Sequence, residues 1–186
     1  MKSPEIIEYI KKTDNELAKS IQPHLYGKVL KLGNGIGYLT ETLSQNLDIT
    51  VVDVALSEGV INKEQVVLYD GLHLPFEDNS FDCTVCVFVL HHTPDPLVVL
   101  REMKRVSKRL VIVEETYDSL FSKLDLVYRD IDVNLFAGQS SKIHWGSYFS
   151  TISIKDTFEE LDLQVLHSNT KPHRNYYKET YVVEQK

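Results

Sequence analysis

The chain has 186 residues, 42% of them hydrophobic and 25% charged, and carries a formal net charge of −7. That composition suits one globular domain with a sizeable core. The acidic balance argues against nucleic acid or an anionic membrane as partner, since both reward basic patches. The whole chain, 1–186, is expected to form a single domain, with an N-terminal helical segment at 1–27 and a variable insertion at 116–152. No apolar run approaches the roughly 20 residues that span a bilayer, and the opening MKSPEIIEYIKK lacks a leader's apolar stretch and cleavage site. A soluble, cytoplasmic protein, monomeric or homodimeric, is the expectation.

In chain order, SPEIIEYIKKTDNELAKSIQ places Ile6, Ile7, Ile10, Leu17 and Ile21 on one helical side, with Ser3 as cap and Pro4 in the first turn. KVLKL reads as a strand, YLTETLSQNL as a helix, and ITVVDV and QVVLY as further strands. CTVCVFVL is the most apolar strand, PDPLVVLREMKRVS a helix opened by prolines, and RLVIVEE another strand. This alternation implies a three-layer α/β sandwich on a mostly parallel sheet, covered on both faces because its middle strands are almost wholly apolar. Beyond Glu115 the pattern mixes helical periodicity with aromatics, then gives the helix ISIKDTFEELDL and the strands QVLHSNT and ETYVVEQ. The link KPHRNYYK is too short for a helical crossover, so the last of seven strands should run antiparallel.

Three segments invite a chemical reading. Gly33, Gly35 and Gly37 follow a strand and open a helix, where bare backbone can approach a ligand and helix N–H groups can point at it. Tyr38 stands where a dinucleotide fingerprint G-x-G-x-x-G needs its third glycine, and Asp53 lies 20 residues after Gly33 at the end of the second strand. Cys83 and Cys86 form a C-x-x-C with His91 and His92 just beyond. A strand's period of two sends the two thiols to opposite faces, so buried, inert cysteines are expected and no metal site is assigned.

The block from Leu68 to Glu115 closely resembles the Rossmann-like, seven-stranded class of S-adenosylmethionine-dependent methyltransferases, and in particular the branch acting on small molecules. The resemblance rests on Asp70, Leu74 to Phe76, Phe81 with Asp82, Leu90 to His92, and Arg101 to Val106. With the glycines and Asp53 it covers about half the chain, from Val29 to Glu115. It implies S-adenosylmethionine as cofactor, S-adenosylhomocysteine as product and a small-molecule acceptor. By the same resemblance Gly33, Gly35 and Gly37, with Lys31 and Asn34 between and before them, would line the methionine part. Asp53 would hold the ribose, Val54 would pack on adenine, Asp70 would accept from its amino group, and Gly71 and Leu72 would complete that pocket. Backbone around Val87 would face the reacting methyl.

Lys31 departs from the family, which usually carries Glu or Asp there. A like charge about 4 Å from a sulfonium costs on the order of 4 kcal/mol at an effective dielectric near 20. Lysine can escape that cost by bending to water, pairing with the cofactor's carboxylate or losing its proton. Two readings therefore stand: an active methyltransferase, or a methyltransferase-like binding or regulatory protein with weakened or lost cofactor use. Methyl transfer from sulfur mainly needs alignment. If the acceptor must lose a proton, His91 or His92 is placed to take it, and otherwise the pair packs at the site rim. His144, Trp145 and Tyr148, in KIHWGSYFS, form either an aromatic lid on the acceptor or core for the inserted helix.

Overall fold

The computed structural model describes residues 4–56, 59–136 and 143–186. Seven strands form one sheet: β1 (Lys28–Leu32), β2 (Asp48–Asp53), β3 (Val66–Leu68), β4 (Phe81–Val87), β5 (Ser107–Thr116), β6 (Leu163–His173) and β7 (Tyr176–Gln185). Their order is β3-β2-β1-β4-β5-β7-β6. β1 pairs in parallel with β2 and β4, β2 with β3 and β4 with β5, whereas β7 runs antiparallel to both its neighbours. This is the expected Rossmann-like methyltransferase sheet. The chain leaves β1 in one direction toward β2 and β3 and later returns to its other side as β4, so a crevice opens at the carboxyl ends of β1 and β4.

Helices cover both faces because β4 and β5 are apolar on both. On one face α1 (Pro4–Ile21) and α2 (Tyr38–Leu43) bury Leu17, Ala18, Ile21, Leu39 and Leu43 against Val29, Cys83, Val85 and Val111. On the other, α3 (Pro96–Val106) and α5 (Ser153–Glu160) bury Leu100, Met103, Ile154 and Phe158 against Leu30, Cys86 and Ile112. Cys83 and Cys86 thus lie on opposite faces, both buried, and burial raises both thiol pKa values. A smaller cluster forms where α4 (Leu120–Phe136) sets Leu126 and Val127 on Tyr148 and Tyr176. The proposed Ser3 cap lies outside the described residues.

Several boundaries move: the strand read to Leu90 ends at Val87, and the helix read to Leu163 ends at Glu160. The helix after the glycines ends at Leu43, not Leu47. The KPHRNYYK link is mostly strand, and the β6–β7 turn shrinks to Arg174 and Asn175, with Arg174 at φ 52°. Pro172 lies within β6 and pairs with Tyr177. It is tolerated because β6 is an edge strand, where a missing N–H costs no ladder bond.

The LPF and REM.RV motifs occur together for a mechanical reason. Arg105 on α3 donates to Glu102 through Nε at 2.8 Å, to the Phe76 carbonyl at 2.8 Å, to Asp78 at 2.9 Å and to the Leu74 carbonyl at 3.0 Å. Glu102 in turn accepts from the Leu74 N–H at 2.8 Å. One guanidinium therefore fastens the loop before β4 to the helix after it. Arg105→Lys keeps the charge but loses the planar fork. It should lower unfolding free energy by about 1–3 kcal/mol in urea titrations, because the carbonyls and Glu102 lose partners together.

Candidate functional site

All three glycines between β1 and α2 have positive φ, namely 72° at Gly33, 58° at Gly35 and 103° at Gly37. A Cβ on Gly33 would stand 2.5 Å from Val89 Cγ2, whereas one on Gly35 would meet nothing within 4 Å. The loop is therefore pinned to the chain beyond β4 at its first glycine and bare at its second. Asp53 fixes it from β2, accepting from the Asn34 N–H at 2.6 Å and from the Val54 N–H at 2.7 Å. Asn34 also serves the loop itself, its buried side-chain oxygen accepting from Thr40 Oγ1 at 2.8 Å.

Lys31 is 3% exposed, and its ammonium lies beneath the loop, donating to the Gly33 carbonyl. It does not bend to water. Burial, opposed by the charges of Asp14 and Asp53, lowers its pKa to about 8. Asp14 comes from α1, and burial, opposed chiefly by Lys31, raises its pKa. Its carboxylate also accepts from the Leu39 N–H at 3.1 Å. It thereby caps α2 from another helix, since the N-cap Gly37 has no side chain to do so. The inverted charge at Lys31 is thus flanked by two carboxylates, and the lysine organises the loop as a donor where an acid would do so as an acceptor.

Beyond β2 and β3 the surface is open. Val54 is 59% exposed, and a Cβ on Gly71 would come 3.1 Å from its Cγ1, so the two form one shelf with half-buried Leu72. Asp70 caps its own turn, accepting from the Leu72 and His73 N–H groups at 2.7 and 2.6 Å and facing His73 Nδ1 at 2.9 Å. Hydrogen bonds from His73 and Leu72 lower its pKa to about 2. Asp53, at the end of β2, and Asp70, just beyond β3, are the carboxylates nearest this surface in the chain. A void of about 10 Å³ behind the loop, bordered by Asn34, Gly37 and Ile61, has room for little more than a water-sized sphere. An open cleft of about 320 Å³ lies between the β6–β7 turn and the start of α4, and none of the expected site residues lines it.

At the end of β4, Val87 is half-buried and Phe88 adopts φ 52°. The single turn Leu90–His92 follows. Glu114, fully buried at the end of β5, accepts from the Val89 and Leu90 N–H groups, both at 2.9 Å, and faces His91 Nδ1 at 2.6 Å. His91 Nε2 and His92 Nε2 stand 3.6 and 3.5 Å from Asp130 Oδ1 on α4. Burial alone would lower the His91 pKa, but Glu114 and Asp130 outweigh it and the pKa rises. Burial and the His91 charge lower that of His92, whose buried Nδ1 has no hydrogen-bond partner among the described residues.

Of the expected acceptor-side residues, Tyr148 is buried. Its hydroxyl donates to Asp130 at 2.6 Å, and its ring stacks 5.2 Å from His91. Trp145 is 46% exposed under the Lys123 ammonium, and His144 is half-buried. Lys142 lies outside the described residues. The structure thus brings His91, His92 and Tyr148 together, gathers Gly33, Asn34, Asp53 and Lys31 around one loop, and leaves Asp70 on its own turn. Asp14, Glu114 and Asp130 were not identified from sequence. Each is an ordinary helix or strand carboxylate, and only its three-dimensional neighbours mark it.

The matching family model is described as a methyltransferase domain and covers residues 30–112. A demethylmenaquinone methyltransferase of Staphylococcus aureus is 30% identical, over 73% of this chain and 67% of its own. An uncharacterized protein of Methanocaldococcus jannaschii is 29% identical over 76% of this chain, which spans 57% of that relative. Among solved structures, a SAM-dependent methyltransferase of Methanosarcina mazei superposes with a TM-score of 0.66 at 18% identity, covering 89% of this chain and 96% of that one. The chain belongs to the Rossmann-like S-adenosylmethionine-dependent methyltransferases.

Lys31 supplies a test of the site without any ligand. An unfolded lysine holds its proton up to pH 10.5 and the folded one only to about 8. Between these values the unfolded state binds more protons, so this group's contribution makes stability rise with pH. The gain is on the order of 3 kcal/mol. Comparing urea unfolding of wild type and Lys31→Met at pH 7 and near pH 10 should show that rise in the wild type relative to the variant. Parallel curves would mean the ammonium is not buried.

Proposed function

We propose that this protein transfers a methyl group from S-adenosylmethionine to a small, planar or apolar acceptor. The observation that carries the reading is the exposed Val54 against Gly71, next in sequence to Asp53 and Asp70, together with the bare backbone of Gly35, which Asp53 braces through the Asn34 amide. Asp53 would bind the ribose hydroxyls with the lone pairs its amide partners leave free. Val54, Gly71 and Leu72 would hold the adenine, with Asp70 at its amino edge, and Gly33, Gly35, Gly37 and the backbone at Val87 would run along the methionine. The cofactor supplies an activated methyl on a sulfonium, and the chain's task is to align the acceptor with it and exclude water.

The cofactor's amino acid end would meet paired charges. Lys31 would act from beneath the loop by its charge rather than by contact, favouring the carboxylate while Asp14 favours the ammonium, so the swapped polarity at β1 is compatible with a zwitterion. The acceptor side would be bounded by His92, His144 and Trp145. A quinol-like acceptor is supported by the demethylmenaquinone methyltransferase relative. If proton removal is needed, His92 is the better placed histidine, since His91 Nδ1 already faces Glu114.

A second reading, a methyltransferase-like binding or regulatory protein, is favoured by one observation: a buried cation beneath the loop that would hold a sulfonium. Calorimetric titration separates the two. Saturable micromolar binding of S-adenosylmethionine is expected for the enzyme, and no heat at millimolar ligand leaves the binding protein.

The lysine's share can be read from pH. As Lys31 loses its proton around pH 8, affinity for the cationic donor should rise several-fold relative to neutral-sulfur S-adenosylhomocysteine between pH 7 and 9. Their common carboxylate and amine cancel in the ratio. Lys31→Met should hold that ratio constant. An equally flat ratio in the wild type would show that the lysine does not sense the sulfonium.

A further inference from the structure

His91, His92 and Asp130 place three metal-type donor atoms within 4.8 Å of one another, where the turn after β4 meets α4. Asp130 Oδ1 stands 3.6 Å from His91 Nε2 and 3.5 Å from His92 Nε2, too far for good hydrogen bonds. Ligands bonded at about 2.0–2.2 Å to one ion stand about 3–3.4 Å apart, so the two distances to Asp130 need contract by only a few tenths of an ångström, while the two imidazoles, within 4.8 Å of one another, would close further by side-chain rotation.

The surroundings match what a metal site requires of its supports. Glu114 Oε2 lies 2.6 Å from His91 Nδ1, which favours a proton on that nitrogen, so an incoming divalent cation would have to displace only the proton on Nε2, the nitrogen that faces Asp130. Asp130 is itself oriented, Oδ2 by the Tyr148 hydroxyl at 2.6 Å and Oδ1 by Asn134 Nδ2 at 2.7 Å. Tyr148 also stacks on the His91 ring and limits its rotation. The charges agree as well: two carboxylates, Glu114 and Asp130, converge on the imidazole pair in a largely buried place, and a divalent cation would balance both.

We propose that His91 Nε2, His92 Nε2 and Asp130 Oδ1 form a binding site for a divalent first-row transition metal, with Glu114 and Tyr148 as positioning residues. Two imidazoles and one carboxylate suit Zn²⁺, Fe²⁺ or Co²⁺ rather than Mg²⁺ or Ca²⁺, which prefer oxygen. Three protein ligands leave at least one position open, as in sites where a metal meets a small molecule. The assignment is independent of cofactor binding, since none of these side chains belongs to the glycine loop or the nucleoside shelf, but it uses the lone pair of His92 and so replaces that residue's role as a base with that of a ligand beside the acceptor.

The test is titration of chelator-treated full-length protein with Co²⁺, followed by visible absorption and calorimetry, and competition with Zn²⁺. One equivalent should bind with ligand-field bands of a low-coordinate site and be displaced by Zn²⁺. His92→Gln and Asp130→Asn should each weaken binding at least 100-fold, and Tyr148→Phe about 10-fold, as loss of a supporting hydrogen bond does. Far-UV circular dichroism confirms folding, and the conservative Tyr148→Phe still decides if Asp130→Asn does not fold. The stacked His24 and His167 rings, 4.8 Å apart, are a competing surface site, so His167→Asn serves as control. Absence of saturable binding up to about 1 mM Co²⁺ overturns the proposal. So does affinity that His92→Gln and Tyr148→Phe leave unchanged, or binding that His167→Asn abolishes.

Discussion

A buried ammonium beneath a glycine carbonyl is the constraint around which the ligand end of this fold is arranged. Lys31 cannot be carried into the sheet unaccompanied, because an isolated charge in a low-dielectric interior is costly. Asp14 is therefore brought in from α1 and Asp53 from β2. Each of the two carboxylates has another task in the same place, Asp14 capping α2 and Asp53 holding the Asn34 amide. A side chain that looks like a disabling substitution in the sequence is, in three dimensions, one member of an acid–base–acid set that fixes β1, β2, α1 and α2 to one another.

A second carboxylate organises the neighbouring strand ends. Glu114 accepts two backbone amides of the turn after β4 and meets His91, so the LHH motif is held by β5 rather than by its own sequence neighbours. His91 and His92 then pass the connection to Asp130, and Tyr148 closes it. In this way α4 and the segment after it are joined to the sheet through polar contacts, beside the small apolar cluster of Leu126, Val127, Tyr148 and Tyr176. Polar attachment of this kind specifies one geometry more narrowly than apolar packing does, because each group must find its own partner.

The sheet, its parallel order and the reversed last strand were legible because the apolar periods switch cleanly and the last link is too short for a crossover. The glycines and Asp53 were legible because local backbone geometry and a strand end define them. Asp14, Glu114 and Asp130 were not, since their importance arises from residues 17 to 25 positions away or more along the chain. The aromatic run near Tyr148 was ambiguous for a related reason: periodicity cannot tell a lid from a core, and the tyrosine joins the core while Trp145 stays half in solvent. The β6–β7 turn was drawn too wide because the link residues are polar and exposed, so the pairing that extends both strands leaves no apolar alternation to read.

That outer strand has a consequence for how the molecule behaves in a crowded solution. β6 presents eleven residues along an unshielded sheet border, nearly all exposed, which is a standing invitation to other chains. Its register shifts between Val165 and His167, twisting the border, and Lys171 and Pro172 near its far end place a charge and a missing N–H where a foreign strand would dock. Pro172 thus acts as a guard against fibrous self-association along this border.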